Sequence, residues 1–572
     1  MGSLVQVPFH GRATRGWVLG PTDDVPERML PVRKMVSPVR FFDERMLELL
    51  RWVSERYVAP LASVIARSHP PRVASEEVDW ASSGGLAPLA SPSPTPLRKA
   101  PAALRPDVLA GYRCGSELLR TTAEGAGAFV LRPAPEDEVA VAVETVGGAL
   151  AAGRTAIVLV PEAEPPPATA RALLEAFGDR AALYLGGDRR ERYRMWLDIR
   201  AGNFACVVGT RPAVFAAVER LGLVLVSRES HRGHREERSP YYHVRDVALV
   251  RARLAGAVCV MSSLCPSAEA LAVGAAEVAS SVRRWPPVEV VRPGPEGRAP
   301  RLLTALRRTK RAFLYEPLPG YGVARVCREC GEAAACATCA GLLRAEAGSV
   351  RCSVCGAAGR CASCGGGAFG IRRGGAERVE EWARRAASVR VRRIGAADKA
   401  GPPGAAEVVV SGPEAVRDFG PVGLDLVGIL DADAASRRPG LATMERALST
   451  WMEAAAWASL DGRVIVQTAR PNDPAVQSLV SGDPRRFYRF ELPRRAEAGF
   501  PAGAPVFRVT GSDEVEEELR KLTPITLLVS GGGDQTVCLV ALDAAKTAMF
   551  GRAVRALAER GVVTRVEAEP HL

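Results

Sequence analysis

Four Cys-x-x-Cys pairs stand between residues 327 and 364: Cys327/Cys330, Cys336/Cys339, Cys352/Cys355 and Cys361/Cys364. A turn of this spacing aims two thiolates at one centre, and tetrahedral zinc takes four such ligands, so eight thiolates satisfy two closed sites. A closed all-thiolate site leaves the metal no open position for water, which makes its role structural rather than catalytic. The competing chemistry is a disulfide cluster. Against it, the other five of thirteen cysteines, Cys114, Cys206, Cys259, Cys265 and Cys538, are scattered singly, and the N-terminus does not read as a secretory leader. Gly331, Gly341, Gly356 and Gly365 follow the four pairs closely, as suits a backbone that must turn sharply behind a metal. Spacing alone allows the pairs to combine sequentially, interleaved or nested.

Two further clusters invite chemistry and do not sustain it. His231, His234 and His243 fall close together, but Arg232, Arg235 and Arg238 are interleaved with them and would repel a cation, so a basic or solvated loop is expected. Gly531, Gly532 and Gly533 lack a following Lys or helix start and are expected to form a hairpin turn rather than a phosphate loop.

The chain of 572 residues is too long for one core and predicts several domains. Its 47% hydrophobic content suffices for globular packing, and no apolar run approaches membrane-spanning length, so a cytoplasmic protein without membrane contact is expected. An excess of 76 Lys and Arg over 64 Asp and Glu, formally +12, favours a polyanionic partner, most simply nucleic acid.

The elements that must hold these groups are readable in outline. Residues 4–9 and 16–19 predict two short strands joined by a basic turn at Arg12 and Arg15. From 43 to 65 the apolar Met46, Leu47, Leu50, Val53 and Tyr57 recur at helical spacing and predict one amphipathic helix. From Glu76 to Pro106 the chain turns rich in Ser, Pro, Ala and Gly, as a linker does. Short apolar runs at 156–160, 206–208, 223–226 and 258–260, spaced for intervening helices, predict a doubly wound parallel sheet, and runs at 311–315, 408–410, 426–430 and 464–467 predict another. Near the end, 507–509, 515–522, 526–529, 537–542 and 562–566 are expected as strands around one helix at 544–558, an α+β domain.

On these residues the chain resembles the primosomal protein N′ (PriA) family of replication-restart helicases. Residues 5–9 with Gly16, and then Trp52, Tyr57-Val-Ala-Pro60 and Pro70-Pro-Arg-Val73, look like that family's DNA-binding domain, which grips the 3′ end of a nascent strand. The family has a further strand of that pocket before this point and a winged-helix domain after it; with no match to either, the expectation is an incomplete pocket or a misassigned start codon. Ala149-Leu-Ala-Ala-Gly153, Gly209-Thr-Arg-Pro-Ala213, Tyr242-His243, Arg245-Asp246 and Pro266-Ser267 are similar to its first helicase lobe. The cysteine spacing is that of the zinc module the family inserts in its second lobe, and Asp431-Ala-Asp433, Gln467-Thr468 and residues 566–569 also look family-like. The resemblance implies nested zinc sites: Cys327, Cys330, Cys361 and Cys364 on one ion, Cys336, Cys339, Cys352 and Cys355 on the other.

The motor motifs depart from the family's. Where its glycine loop and Lys cradle phosphate, this chain has Pro135, Glu136, Asp137 and Glu138, with Glu138 at the Lys position. Pro135 removes a backbone donor, and carboxylates at close range repel a triphosphate by several kcal/mol. The magnesium-holding DEEH becomes Ser227-Arg-Glu-Ser230, in which only Glu229 survives; the coupling motif becomes Ser262-Ser-Leu-Cys-Pro-Ser267. Trp457 and Leu460 replace the two arginines of the second lobe, and Ser411-Gly-Pro-Glu414 replaces the threonine-glycine motif.

The expected architecture is a multidomain α/β chain. It comprises a small β-rich N-terminal DNA-binding domain (1–75), a linker (76–110) and two RecA-like parallel-sheet lobes (111–288 and 289–480), the second carrying the two-zinc region 327–364. A C-terminal α+β domain (481–572) completes it. The resemblance implies a monomeric restart protein that binds forked, branched or single-stranded DNA. It would work with primosome proteins, single-stranded-DNA-binding protein and the replicative helicase or its loader. Loss of the nucleotide motifs predicts neither ATPase nor helicase activity, so no catalytic residue is assigned. An active ATP-dependent 3′–5′ helicase and a zinc-dependent protein adaptor are the alternatives.

Overall fold

Alternating apolar and polar residues at the start of the chain build a three-stranded antiparallel sheet. In the computed structural model Ser3–Phe9 lies at its centre, paired with Arg12–Trp17 on one side and Lys34–Arg40 on the other. His10 and Gly11, both at positive φ, make the two-residue turn that the strand twist favours. The structure describes residues 1–23, 29–82, 107–294, 298–317, 323–329, 334, 336–338, 343–346, 349–352, 355–373, 375–395, 398, 401–436, 440–522, 526–531 and 535–570.

The single helix expected from 43 to 65 is two. Asp43 caps the first, Glu44–Arg56, by accepting from the Met46 N–H at 2.7 Å. Val58 then adopts a left-handed φ of 51°, and Pro60 opens the second helix, Leu61–Arg67. A third helix, Ala74–Ser82, enters the stretch expected as linker because Glu76 and Glu77 are buried by ion pairs there. Most of the expected linker, residues 83–106, lies outside the described residues.

The β-branched runs read as buried strands form two sheets. In the first the order is Tyr112–Arg113, Ala276–Ser280, Gly127–Arg132, Val258–Ser262, Leu221–Ser227, Thr155–Leu159, Cys206–Gly209 and Ala181–Tyr184. Its central strands pair in parallel and are buried throughout, so they read as continuous apolar runs rather than alternating ones. In the second the order is Val288–Val291, Ala458–Gln467, Leu424–Ile429, Arg311–Tyr315, Glu407–Ser411 and Arg390–Arg393, all parallel. Between Arg311–Tyr315 and Glu407–Ser411 the chain passes through the cysteine region. The strands described there form two antiparallel pairs, Val323–Cys327 with Phe369–Arg373 and Leu343–Glu346 with Ser349–Cys352.

The C-terminal domain is a four-stranded antiparallel sheet, ordered Thr526–Gly531, Thr536–Ala541, Val506–Gly511 and Val563–Ala568. Gly531 pairs with Thr536 at the end of its strand, and residues 532–534, on which the expected hairpin turn falls, lie outside the described residues. Residues 515–520, expected as a strand, are a helix. Val515 and Leu519, one turn apart, are its buried face, and Glu516–Arg520 and Glu517–Lys521 pair at i,i+4 across its outer face.

The chain divides into two compact units. One comprises Met1–Leu131, Val139–Ser262 and Ala275–Ala279; the other comprises Arg132–Glu138, Ser263–Gly274 and Ser280–Leu572. Among the described residues no helix is long and apolar enough to cross a membrane.

Candidate metal centres and the motor motifs

Each strand pair of the cysteine region ends on a thiol. Cys327 closes Val323–Cys327 opposite Phe369, and Cys352 closes Ser349–Cys352 opposite Leu343. An isolated antiparallel bridge joins Cys336 to Cys361, and Ala334, Cys336, Leu343 and Cys352 form a small buried core. Behind the last two pairs the chain turns at Gly356 and Gly365, whose φ values of 68° and 74° demand glycine. Their amides close the turns on Cys352 O at 3.1 Å and Cys361 O at 2.8 Å.

The thiols gather in two trios, Cys327 with Cys361 and Cys364, and Cys336 with Cys352 and Cys355, the ligand atoms of each lying within 4.8 Å of one another. This groups first with fourth and second with third. Cys330 and Cys339 lie outside the described residues. The Cys327–Cys364 and Cys336–Cys355 sulfurs are 3.5 and 3.6 Å apart. A disulfide needs about 2.05 Å, whereas two thiolates on a tetrahedral ion with bonds of about 2.3 Å sit about 3.8 Å apart. The donor set and spacing therefore fit a metal such as zinc in each trio.

At the stretch that the resemblance sets against the phosphate loop, the protein's own ions meet. Pro135–Asp137 is a tight turn leading into the helix Glu138–Ala151, whose N-terminal amides and dipole favour anions. Asp137, 1% exposed, is paired with Arg284, and Glu136 meets the same guanidinium at 3.1 Å. Two carboxylates and an arginine thus stand at the start of this helix.

The acid left from the metal-binding motif is equally engaged. The strand Leu221–Ser227 ends in Arg228, held at a φ of 52°, and the fully buried Glu229 takes Arg245 at 3.0 Å. Arg245 also donates to Asp246 at 2.8 Å, and Tyr57 OH donates to Asp246 at 3.0 Å, so a chain of polar contacts runs from the N-terminal helices to Glu229. Burial alone would raise the Asp246 carboxyl, but Arg245 and Arg56 hold it at about 2. The histidine loop is solvated only in part: Arg232 and Arg238 are exposed, as expected of a basic loop, whereas His234, Arg235 and Glu236 are buried. Burial lowers His234 to about 4, and its Nε2 lies 2.7 Å from the Ser227 carbonyl; His243 is lowered well below its usual range by the same cause.

In the second lobe Trp457, 3% exposed, packs between Phe313 and Phe419, with ring centroids at 4.8 and 5.5 Å. Leu460 is 48% exposed. An indole buried in this core cannot meet a γ-phosphate as an arginine would. Ser411 spends its hydroxyl on the Ile394 carbonyl at 2.7 Å.

The N-terminal module and first lobe share buried contacts that sequence reasoning missed. Glu77 accepts from Ser37 Oγ at 2.7 Å, Tyr193 OH at 2.5 Å and Arg72 Nε at 2.8 Å, while Phe41 stacks on Trp196 at 5.5 Å. Desolvation, and then the Glu77 carboxylate, push the Tyr193 phenol far above its usual range. Two consecutive glutamates opening a helix read as ordinary first-turn acids, so their sequence carries no sign of burial.

The chain is similar to several known proteins. A family model described as the PriA 3′ DNA-binding domain (3′BD) matches residues 1–70. The probable replication restart protein PriA of Mycobacterium leprae is 31% identical over 558 residues, covering 91% of this chain and 84% of that one. The replication restart protein PriA of Treponema pallidum is 27% identical over 550 residues, covering 88% and 81%. Among solved structures, the DNA-bound DUF1998 helicase MrfA aligns with 78% of this chain and 64% of its own at 10% identity, with a TM-score of 0.36.

Proposed function

Because the chain belongs to the PriA family of replication restart proteins, we propose that it binds forked or branched DNA in replication restart and neither hydrolyses ATP nor unwinds duplex. One observation carries the second half of this reading: Asp137 and Glu136 are ion-paired to Arg284 at the phosphate-loop position. A triphosphate there would have to displace a buried carboxylate from its guanidinium and lie against three acids, Glu136, Asp137 and Glu138. Glu229 and Trp457, each engaged elsewhere, support the same reading. The protein then works as a platform. Its 3′-end-binding module and basic surfaces hold a fork mainly through phosphates, so binding is salt-sensitive and weakly dependent on sequence. Primosome proteins, single-stranded-DNA-binding protein and the replicative helicase or its loader assemble on it in the cytoplasm.

Two structural zinc ions per chain belong to this proposal. Cys330 completes the site of Cys327, Cys361 and Cys364, and Cys339 that of Cys336, Cys352 and Cys355. The deciding experiment is steady-state ATPase measurement with a forked DNA, alongside a binding titration on the same fork. Salt-sensitive binding with no turnover is expected. DNA-stimulated turnover that Glu229→Gln abolishes would return the protein to the motors.

A further inference from the structure

Helix Arg485–Glu497 carries two faces of opposite character. Its inner face is tied down: Tyr488 OH donates to Pro266 O at 2.6 Å, Phe487 is buried, and the buried Arg495 is shared by Glu445 and, at 2.9 Å, Glu491. The outer face follows from 100° per residue. Arg486, Arg489, Phe490, Pro493, Arg494 and Glu497 fall within an arc of about 140°, and all six are exposed.

Charge on this face is unbalanced. Arg485 is held by Asp483 at 2.9 Å, but Arg486, Arg489 and Arg494 make no side-chain hydrogen bond or ion pair among the described residues, and Glu497 is the single acid beside them. Phe490 is 60% exposed and has an arginine one turn before it and one turn after it. One exposed phenylalanine is unremarkable by itself. A bare ring set among three unneutralised guanidiniums is the combination that binds a single strand, with the cations tracking the phosphates and the ring stacking on a base. From Arg486 to Arg494 the helix rises about 12 Å, which successive nucleotides can follow.

We propose that this face of Arg485–Glu497 is a contact for single-stranded DNA, separate from the 3′-end-binding module. It rests on the reading of the protein as a DNA-binding restart factor and adds where an unpaired arm of the fork is held. The arginines supply affinity without sequence preference, and Phe490 supplies stacking that any base can accept. Because all four side chains point to solvent, their replacement leaves the helix's buried face intact.

The test is fluorescence anisotropy on the full-length, metal-loaded protein with a labelled oligothymidylate whose 3′ end is blocked, and separately with a duplex bearing a recessed 3′ end. Arg486→Glu/Arg489→Glu/Arg494→Glu is expected to weaken oligothymidylate binding and to flatten its log–log salt slope by about 2, from about 0.7 per phosphate contact. The recessed-end duplex should bind as before. Phe490→Ala is expected to weaken the oligothymidylate roughly tenfold at unchanged salt slope, and Phe490→Trp to retain it. Unchanged oligothymidylate affinity in the triple variant, with the parent binding both DNAs, would overturn this inference and leave the restart reading standing. Loss of an acidic peptide's binding in that variant while oligothymidylate binding persists would overturn it too, in favour of a peptide dock. A parent that binds neither DNA would bring down the restart reading itself.

Discussion

Arg245→Met is the substitution whose cost can be worked most directly from the structure. The Glu229 side chain is 0% exposed and that of Arg245 is 6% exposed, with 3.0 Å between their charged atoms. The methionine keeps most of the volume and removes the guanidinium that lies 3.0 Å from this fully buried carboxylate. Breaking a buried pair from one side costs about 3–5 kcal/mol, far more than the pair itself contributes. Asp246 loses the same guanidinium but keeps Tyr57 at 3.0 Å and Arg56 at 4.0 Å, so the larger share falls on Glu229. Arg245→Met/Glu229→Gln should recover most of the loss, because no net charge is then stranded. Hydrogen exchange read on the strand Leu221–Ser227 and the helix Val244–Ala255 is the suitable assay, since a chain of two compact units need not unfold in one step. A loss below about 1 kcal/mol in the single variant would refute this account of Glu229. So would failure of the double variant to recover, or added magnesium stabilising the parent as a ligated metal must.

Three further outcomes are expected. Cys336→Ser, which removes one thiol of the trio with Cys352 and Cys355, should lower bound zinc from the proposed two ions per chain to about one by elemental analysis, and chelation should unfold the cysteine region if each zinc lends the about 10–16 kcal/mol of a structural site; fewer than two ions in chelator-free parent protein would count against the assignment. His234 is lowered from 6.5 to about 4, so the unfolded chain binds its proton more readily; the stability it lends is complete above 6.5 and is lost as pH falls from 6.5 toward 4, roughly 3 kcal/mol at 1.36 per unit. His234→Gln should therefore show a shallower decline than the parent over that window, and parallel curves would refute the burial account. Arg284→Met should cost about 2 kcal/mol by removing a guanidinium from buried Asp137 and should not confer ATP binding, measured by equilibrium dialysis, because the carboxylates remain.

What could be read in advance divides along range of interaction. The parallel lobes were legible because a strand buried on both faces must be apolar throughout, as at 156–159 and 223–226. The break at Val58 and Pro60 was missed because Met46, Leu47, Leu50 and Val53 keep a helical rhythm right up to it, and a periodic count does not weigh one left-handed residue. Residues 515–520 were misread because two apolar residues four apart fit either element in so short a stretch; the i,i+4 ion pairs decide for helix. The histidine loop was only half anticipated, since its charges suggested water, as holds for Arg232 and Arg238, while the fold buries His234, Arg235 and Glu236.

By itself the amino-acid sequence determined which chemical groups exist: eight thiols in four turns, and acids, a serine and an indole where a motor carries lysine, paired carboxylates and arginine. The thiols' grouping is a property of residue type and short spacing, and the altered motor positions are what the resemblance to the family implies; neither needs a fold to be stated. Only the tertiary structure decided what the altered positions now do. Arg284 reaches back across 147 residues to Asp137, Arg245 occupies Glu229, and Phe313 and Phe419 close over Trp457. Such partners are chosen by burial, which obliges every charge taken out of water to find its counterpart wherever the chain brings one near, and no local pattern encodes that choice.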